Sequence, residues 1–312
     1  MEYENNCINF IIIEYEIINF EYIYANYNND NCNTKANTNR EIINAVLVYD
    51  LDKEVIKLLE QYEAVVFAVE FEDDKDLINC LPSNIKYMDF SYGSKFNKPI
   101  YNYPLLEYIK FGTDFNQSIE YLPITLIILI TGSMFNNKVD NLPPQIKYIS
   151  LSNAFNQCID TLSDNVIILE IYGNFQQTIN KLPEQLEYFK INTYPNTNIN
   201  INNNCFTNLN SLKEIDLGYG FNSPLDNYRW SDTIKSIKFD EEFNQIITKS
   251  NMPKYLKTLT VSYNFNLDNI LDLPDTLKTF IYIGGWIITN NNVLIALKKL
   301  QNNFHKIKFI NR

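Results

Sequence analysis

The chain has 312 residues, of which 37 are acidic and 26 are basic, for a formal net charge of −11. Its single histidine, His305, excludes a zinc site built on two or more histidines and gives a Ser-His-Asp triad little basis. Neither GxGxxG nor GxxxxGK[ST] occurs among the eight glycines, so a Gly-rich phosphate-binding loop is not supported. The acidic balance argues against nucleic acid as a partner, because phosphate binding needs a basic surface.

Residues 1–76 form an acidic N-terminal region without the repeat described below. Residues 1–80 hold 17 acidic and 5 basic residues, so the negative charge is concentrated there. The absence of a basic signal start and of a long apolar run predicts a soluble, intracellular, cytoplasmic protein with no membrane partner. Local patterns predict four elements in chain order: a strand within Ile8–Tyr24, an Asn-rich loop at Asn26–Asn39, a helix within Glu41–Tyr62 and a strand at Ala64–Phe71.

Five carboxylates close to the end of this region suggest a calcium site as one interpretation. They are Glu70, Glu72, Asp73, Asp74 and Asp76. Their spacing departs from the D-x-[DN]-x-[DN]-G pattern of a calcium loop. We therefore predict a solvated acidic turn, and no metal or cofactor.

Residues 77–289 contain a repeat that dominates the sequence. A Phe-Asn pair, once replaced by Phe-Gln, recurs in two blocks with spacings of 19 to 22 residues. A Leu-Pro pair and three apolar residues (φ) keep a fixed phase to it, in the pattern L-P-x-x-φ-x-x-φ-x-φ-x-x-x-F-N. The phenylalanines are Phe96, Phe115, Phe135, Phe155, Phe175, Phe221, Phe243 and Phe265.

Each repeat predicts one turn of a solenoid. The alternation Ile149-Ser150-Leu151 is typical of a short strand with one buried face. Each of the eight glycines falls one to three residues after such a strand, where glycine suits a sharp turn. The phenylalanine then returns to the core, and the asparagine is expected to hydrogen-bond backbone groups in the bend. A unit of about 20 residues has no room for a full helix, so the return leg should be extended or a tight turn, and the stacked strands should form a parallel sheet.

This repeat resembles the FNIP repeat, a short leucine-rich-repeat-like unit of amoebal and giant-virus proteins, over roughly residues 77–285. The resemblance implies a leucine-rich-repeat-like horseshoe with the parallel sheet on its concave face. Function in that family is inferred mainly as protein–protein interaction. Many members carry an F-box near the N-terminus, but residues 1–76 contain neither the Pro nor the Trp of that motif.

Two segments depart from the repeat. The Asn-rich stretch Asn192–Asn204 predicts a longer loop, and the spacing of Phe206, Leu209 and Leu212 after it predicts a helical return leg. Residues 290–312 predict a C-terminal cap of one helix, with Asn290–Asn292 as candidate N-caps, and one strand at Ile307–Phe309.

The five cysteines are scattered and form no CxxC pair: Cys7, Cys32, Cys80, Cys158 and Cys205. An odd, scattered set predicts free thiols in a reducing compartment. A catalytic cysteine is the alternative, and it is disfavoured because no histidine lies near any of them in sequence.

Some strand side chains point to the face of the sheet opposite the phenylalanines, which we call the open face. One position on this face is occupied by Tyr87, Tyr108, Ile128, Tyr148, Ile168 and Tyr188. Since neighbouring strands lie about 4.8 Å apart, these residues predict a stripe. An exposed aromatic stripe is typical of a partner-binding surface, and stacking that stabilises the sheet is the alternative.

Lysines recur at another position on four successive strands, and we call them the lysine ladder. The ladder comprises Lys213, Lys235, Lys257 and Lys278, with His305 as a candidate for the next place. Like charges this close repel one another, so the ladder favours an anion or an acidic peptide. The alternative is a set of solubility residues neutralised by Glu214, Asp216 and Asp240.

A third position alternates in sign and predicts cross-strand ion pairs that stabilise the sheet. The expected pairs are Asp89 with Lys110, Glu170 with Lys190, and Asp216 with Lys238.

These patterns predict a non-enzymatic repeat scaffold that binds a protein partner through the concave sheet. The alternative is the substrate-recognition subunit of a ubiquitin ligase with a divergent F-box-like N-terminus. An enzyme is the third hypothesis, and no convergent acid, base and nucleophile are visible in the sequence.

Overall fold

The computed structural model describes residues 10–16, 42–90, 92–195, 197, 199–284, 291–304 and 306–311. Two compact units, residues 1–155 and 156–312, divide the chain. Several residues discussed above lie outside the described ones: Cys7, Cys32, the segment Asn26–Asn39, Asn290 and His305.

The described part of the first unit contains seven strands that neighbour one another in chain order. They are β1 (Phe10–Glu16), β2 (Ile42–Val48), β3 (Ala64–Phe67), β4 (Tyr87–Phe90), β5 (Tyr108–Lys110), β6 (Ile128–Ile130) and β7 (Tyr148–Leu151). β1 and β2 are antiparallel, and each later pair in this unit is parallel. Parallel pairing of successive repeats places equivalent residues side by side.

The helix predicted within Glu41–Tyr62 is wrong for its first half. Residues 42–48 form β2, because the apolar, partly β-branched run IINAVLV pairs with β1 along its whole length. The helix, α1, covers only Lys53–Leu59. Asp52 is its N-cap, and the Oδ1 atom of Asp52 accepts hydrogen bonds from the amides of Glu54 and Val55 at 2.9 and 2.8 Å.

The described part of the second unit has seven parallel strands, again in chain order. They are β8 (Ile168–Gly173), β9 (Tyr188–Thr193), β10 (Glu214–Leu217), β11 (Ser236–Phe239), β12 (Thr258–Ser262), β13 (Thr279–Ile283) and β14 (Lys308–Asn311). Helix α2 (Asn291–Asn303) lies between β13 and β14 in the chain. The domain divisions after residues 76 and 289 stay predictions.

The return legs are extended segments and turns with short 3-10 helices, as predicted. The 3-10 helices are Ile78–Cys80, Leu225–Asn227, Lys249–Asn251 and Leu267–Asn269. Each unit is therefore a leucine-rich-repeat-like β-solenoid with a parallel sheet on one side.

The helical return leg predicted around Phe206, Leu209 and Leu212 is wrong. All three side chains are buried, but residues 203–208 form successive turns. The Cys205 amide donates to the carbonyl of Asn202 at 2.8 Å, a bond to the third residue back, whereas an α-helix bonds each amide to the fourth residue back. Asparagine-rich sequence disfavours a helix here, because its side chains compete for backbone hydrogen bonds.

The repeat phenylalanines form a buried spine in each unit, which confirms their predicted place in the core. In the first unit, the ring centroid of Phe135 lies 6.2 Å from those of Phe115 and Phe155. In the second unit, Phe243 lies 6.1 Å from Phe221 and 5.8 Å from Phe265. Regular stacking of rings beside the buried leucines and isoleucines joins each turn to the next.

The asparagines that follow the phenylalanines form a hydrogen-bonded ladder, so their predicted structural role is confirmed. Asn97 Oδ1 accepts from the amide of Asn116 at 2.8 Å, and Asn116 Oδ1 accepts from the amide of Asn136 at 2.9 Å. In the second unit, Asn222 accepts from Asn244 in the same way at 2.9 Å. Each side chain therefore satisfies a backbone donor of the next turn.

Replacing Asn116 with alanine should lower the free energy of unfolding by about 1 kcal/mol. The change removes the acceptor of the Asn136 amide, and water partly replaces it because the bond is exposed. Asn116→Asp should cost less, since it keeps an Oδ acceptor, as Asp160 does for the Asn180 amide at 2.9 Å. Urea unfolding of the three proteins measures both changes, and equal stability of all three would contradict a structural ladder.

Candidate functional site

The open face of the first unit brings the predicted tyrosines together in register. Tyr87 pairs with Tyr108, whose neighbour Ile128 pairs with Tyr148. The ring centroids of Tyr87 and Tyr108 lie 6.5 Å apart. In the second unit, Tyr188 pairs with Ile168 at the same position. The predicted stripe therefore exists within each unit as a row of adjacent side chains.

The expected exposure of this stripe is wrong. Tyr108 is 1% exposed, Tyr148 is 8% exposed and Tyr188 is 3% exposed, whereas Tyr87 is half-buried. Such side chains cannot offer the accessible aromatic anchors that a partner-binding stripe needs. Stabilisation of the sheet, the alternative interpretation, is the one that the burial supports.

A polar cluster on the open face explains part of this burial in the first unit. The Tyr15 hydroxyl, on β1, donates to Asp89 Oδ2 on β4 at 2.9 Å, and Lys110 Nζ lies 3.1 Å from Asp89 Oδ1. Burial, and then the charge of Asp89, raise the pKa of both Tyr15 and Tyr108 well above the ordinary tyrosine value. Both tyrosines therefore stay protonated. The hydrogen bond from Tyr15 to Asp89 also links β1 to the first repeat strand, β4.

Two of the predicted cross-strand ion pairs form. Lys110 pairs with Asp89, and Lys238 Nζ lies 3.1 Å from Asp216 Oδ2 and 3.3 Å from Asp240 Oδ2. Burial raises the pKa of Asp216, although the charge of Lys238 acts in the opposite direction. In the third expected pair, Lys190 is in register with Glu170, and its Nζ lies 5.2 Å from the centre of the Tyr172 ring.

The lysine ladder is continuous along the backbone. The amide of Lys235 donates to Lys213 O, that of Lys257 to Lys235 O and that of Lys278 to Lys257 O, at 2.8 to 2.9 Å. The next place belongs to Ile307, because the pairing of Thr279 with Lys308 sets the register of β14. His305, the candidate for this place, lies outside the described residues.

Two of the three carboxylates proposed to neutralise the ladder are engaged elsewhere. Asp216 and Asp240 pair with Lys238, which is not part of the ladder. Within the ladder, Lys213 pairs with Glu187 at 2.5 Å. No ion pair to Lys257 or Lys278 is found among the described residues.

Three residues near the ladder were missed by sequence reasoning: Lys254, Tyr255 and Lys306. Lys235 Nζ and Lys254 Nζ each lie 5.1 Å from the centre of the Tyr255 ring. Lys306 lines the same cavity as Lys257 and Lys278. Tyr255 and Lys306 lie outside the ladder position, so the repeat phase carried no signal for them.

The acidic turn is structural and only partly solvated, which corrects the prediction for Asp73. This side chain is buried, and its carboxylate accepts from the amides of Leu77 and Ile78 at 2.8 and 3.0 Å. Lys95 pairs with Glu70 and Glu72 at 2.6 and 3.2 Å. Among the described residues, no group of three metal-ligating side chains comes together.

The three described cysteines, Cys80, Cys158 and Cys205, are free thiols, as predicted. Burial, followed by the charge of Asp160, raises the pKa of Cys205 to about 12. This thiol is therefore protonated near neutral pH, and a protonated thiol is a poor nucleophile.

The features above define a leucine-rich-repeat-like solenoid. No protein-family model matches the chain, and no curated protein matches it in sequence. Among solved structures, the chain is similar to CroV588, described as a novel circular LRR protein, with 24% sequence identity and a TM-score of 0.48. The match covers 79% of this chain and 48% of that protein, so this chain corresponds to about half of its length.

Among the described residues, no helix combines the length and the apolar character needed to cross a membrane.

Proposed function

We propose that this protein is a non-enzymatic repeat scaffold that binds a protein partner across the open face of β10–β13. The observation that carries the proposal is a grid of polar side chains on this face. Glu214, Ser236, Thr258 and Thr279 are adjacent in register, and all four are only half-buried. A regular, rigid and accessible grid suits recognition of an extended surface on another protein.

The surface proposed here leaves out the buried tyrosines. Asp216 and Lys238 extend the grid by one row, and their ion pair makes it charged as well as polar. Charged rows of this kind contribute to the selection of a partner more than to affinity.

Assignment to the FNIP repeat family remains part of this proposal, and it rests on the recurring Phe-Asn and Leu-Pro pairs. A ubiquitin-ligase adaptor is the less supported alternative. The described part of residues 1–76 holds three strands and the seven-residue helix α1, whereas the F-box motif calls for a helical leucine and isoleucine pattern.

The test uses two double variants of the full chain. Ser236→Arg with Thr258→Arg places two long charged side chains on the open face of β11 and β12. Ile246→Arg with Leu271→Arg places the same side chains at exposed sites on return legs of the same unit. Affinity capture from the native cell, with mass spectrometry, compares both variants with the unchanged protein.

A partner of the open face should be depleted at least tenfold by the first double variant and retained by the second. Unfolding curves must show that both variants are folded. Equal capture by all three proteins would contradict the proposed surface. Co-purification of ligase subunits with the unchanged protein would favour the adaptor alternative.

A further inference from the structure

A basic groove lies beside the amino ends of β11 to β14 in the second unit. It is a cavity of about 530 Å³, and its lining includes Lys235, Tyr255, Lys257, Lys278 and Lys306. Three of these lysines belong to the ladder on successive strands, so their backbones are about 4.8 Å apart. The solenoid therefore forces these cations together, although like charges repel.

The groove keeps its positive charge, because nearby carboxylates are used elsewhere. Asp275 also lines it, but this carboxylate forms an ion pair with Lys249. Among the described residues, no carboxylate pairs with Lys257, Lys278 or Lys306. An uncompensated cluster of this kind attracts anionic groups.

Tyr255 gives the groove an ordered aromatic wall. Lys235 Nζ and Lys254 Nζ each lie 5.1 Å from its ring centre, a cation–π distance, and the ring is still 41% exposed. Lys235 Nζ also donates to the carbonyl of Asp232 at 3.1 Å. These contacts position Lys235, whereas Lys257 and Lys278 are exposed.

We propose that this basic groove binds an acidic, extended segment of the partner protein. The proposal rests on the scaffold function above and adds the chemistry of the partner. Two ladder intervals span about 10 Å, which corresponds to about three residues of an extended chain. Glutamate or aspartate side chains on such a segment can therefore reach successive lysines, while its aliphatic atoms contact Tyr255.

A peptide fits these observations better than a nucleic acid. Tight binding to nucleic acid needs many phosphate contacts, and the groove offers four lysines on a chain of net charge −11. A short acidic segment needs only a few contacts and brings less charge toward the rest of this acidic chain.

Fluorescence anisotropy tests the proposal with the full chain at low salt. The probe is a labelled peptide of alternating glutamate and serine, about ten residues long, so that it exceeds the length of the ladder. Its matched control replaces each glutamate with glutamine. Binding of the glutamate peptide, much weaker binding of the glutamine peptide, and a loss of affinity with added salt are expected.

Two charge-matched variants locate the site. Lys257→Gln with Lys278→Gln should weaken binding of the glutamate peptide roughly fivefold to tenfold, as two exposed ion pairs allow. Lys53→Gln with Lys57→Gln removes the same charge from exposed positions on α1 and should leave the affinity unchanged. Lys257→Glu with Lys278→Glu should abolish binding.

Equal binding of the glutamate and glutamine peptides would overturn the proposal. So would an equal loss of affinity for the glutamate peptide in the groove variant and in the α1 variant. Tighter binding of a single-stranded oligonucleotide than of the glutamate peptide would also overturn it, and would assign the groove to nucleic acid. The scaffold function is tested separately by the open-face variants. If those variants lose the partner while the glutamate peptide fails to bind, only the groove proposal fails.

Discussion

Phe135→Ala is expected to lower the free energy of unfolding by about 3–5 kcal/mol. The ring is fully buried and stacks on Phe115 and Phe155 at 6.2 Å on either side. Its removal leaves a cavity that two flanking turns of the solenoid share, and neither turn can close it without breaking the strand register. Urea denaturation measures the change.

The preceding residue provides a matched control. Met134 is 57% exposed, so Met134→Ala should change the stability by less than about 0.5 kcal/mol. A loss for Phe135→Ala no larger than that of the control would show that the spine does not hold the turns together.

Tyr108→Ala should lower the free energy of unfolding by about 3 kcal/mol or more, although the residue lies on the open face. The side chain is 1% exposed and packs beside Tyr87 at 6.5 Å between centroids. Its truncation opens a cavity under the cluster formed by Tyr15 and Asp89. Thermal and urea unfolding measure the loss.

Tyr108→Phe separates the ring from its hydroxyl. The buried hydroxyl lies beside the Tyr15 hydroxyl but meets no strict hydrogen-bond geometry within the described residues, so its removal should change stability by at most about 1 kcal/mol, far less than removal of the ring. A folded Tyr108→Ala protein of unchanged stability would restore this tyrosine to the list of accessible partner-binding residues. A large loss of stability in Tyr108→Phe would show that the hydroxyl forms a strong hydrogen bond.

The phenylalanine spine and the asparagine ladder were predictable because a repeat makes each position of a turn meet its own equivalent in the next turn. The position of a residue within the repeat then tells which other residues occupy the same layer of the solenoid. Phe135 follows the strand at the same distance as Phe115, so both had to occupy the same layer. The same argument predicted the register of Tyr87 with Tyr108 and of Lys257 with Lys278.

Outside the repeat, local pattern was a weaker guide. The helix prediction for Glu41–Tyr62 rests on the spacing of Val55, Ile56, Leu58 and Leu59, all of which lie after residues 42–48. The pairing of β2 with β1 and β3 on its two edges made it a strand. Strand formation depends on such neighbours more than on intrinsic preference.

Sequence alone therefore determined the architecture of the turns: the short strands, the phenylalanine spine, the asparagine ladder and the order of the strands. Only the tertiary structure decided which surfaces are accessible. Tyr15 reaches Asp89 across 74 residues, and Lys238 pairs with two of the three carboxylates expected to neutralise the lysine ladder. The glycine that follows Ile128–Ile130 shows the same contrast between sequence and tertiary structure. Gly132 is required because a Cβ there would lie 1.7 Å from the carbonyl oxygen of Gly112 in the preceding turn. Accessibility, charge pairing and close approach all depend on residues distant in the chain, and the phase of a repeat carries no information about them.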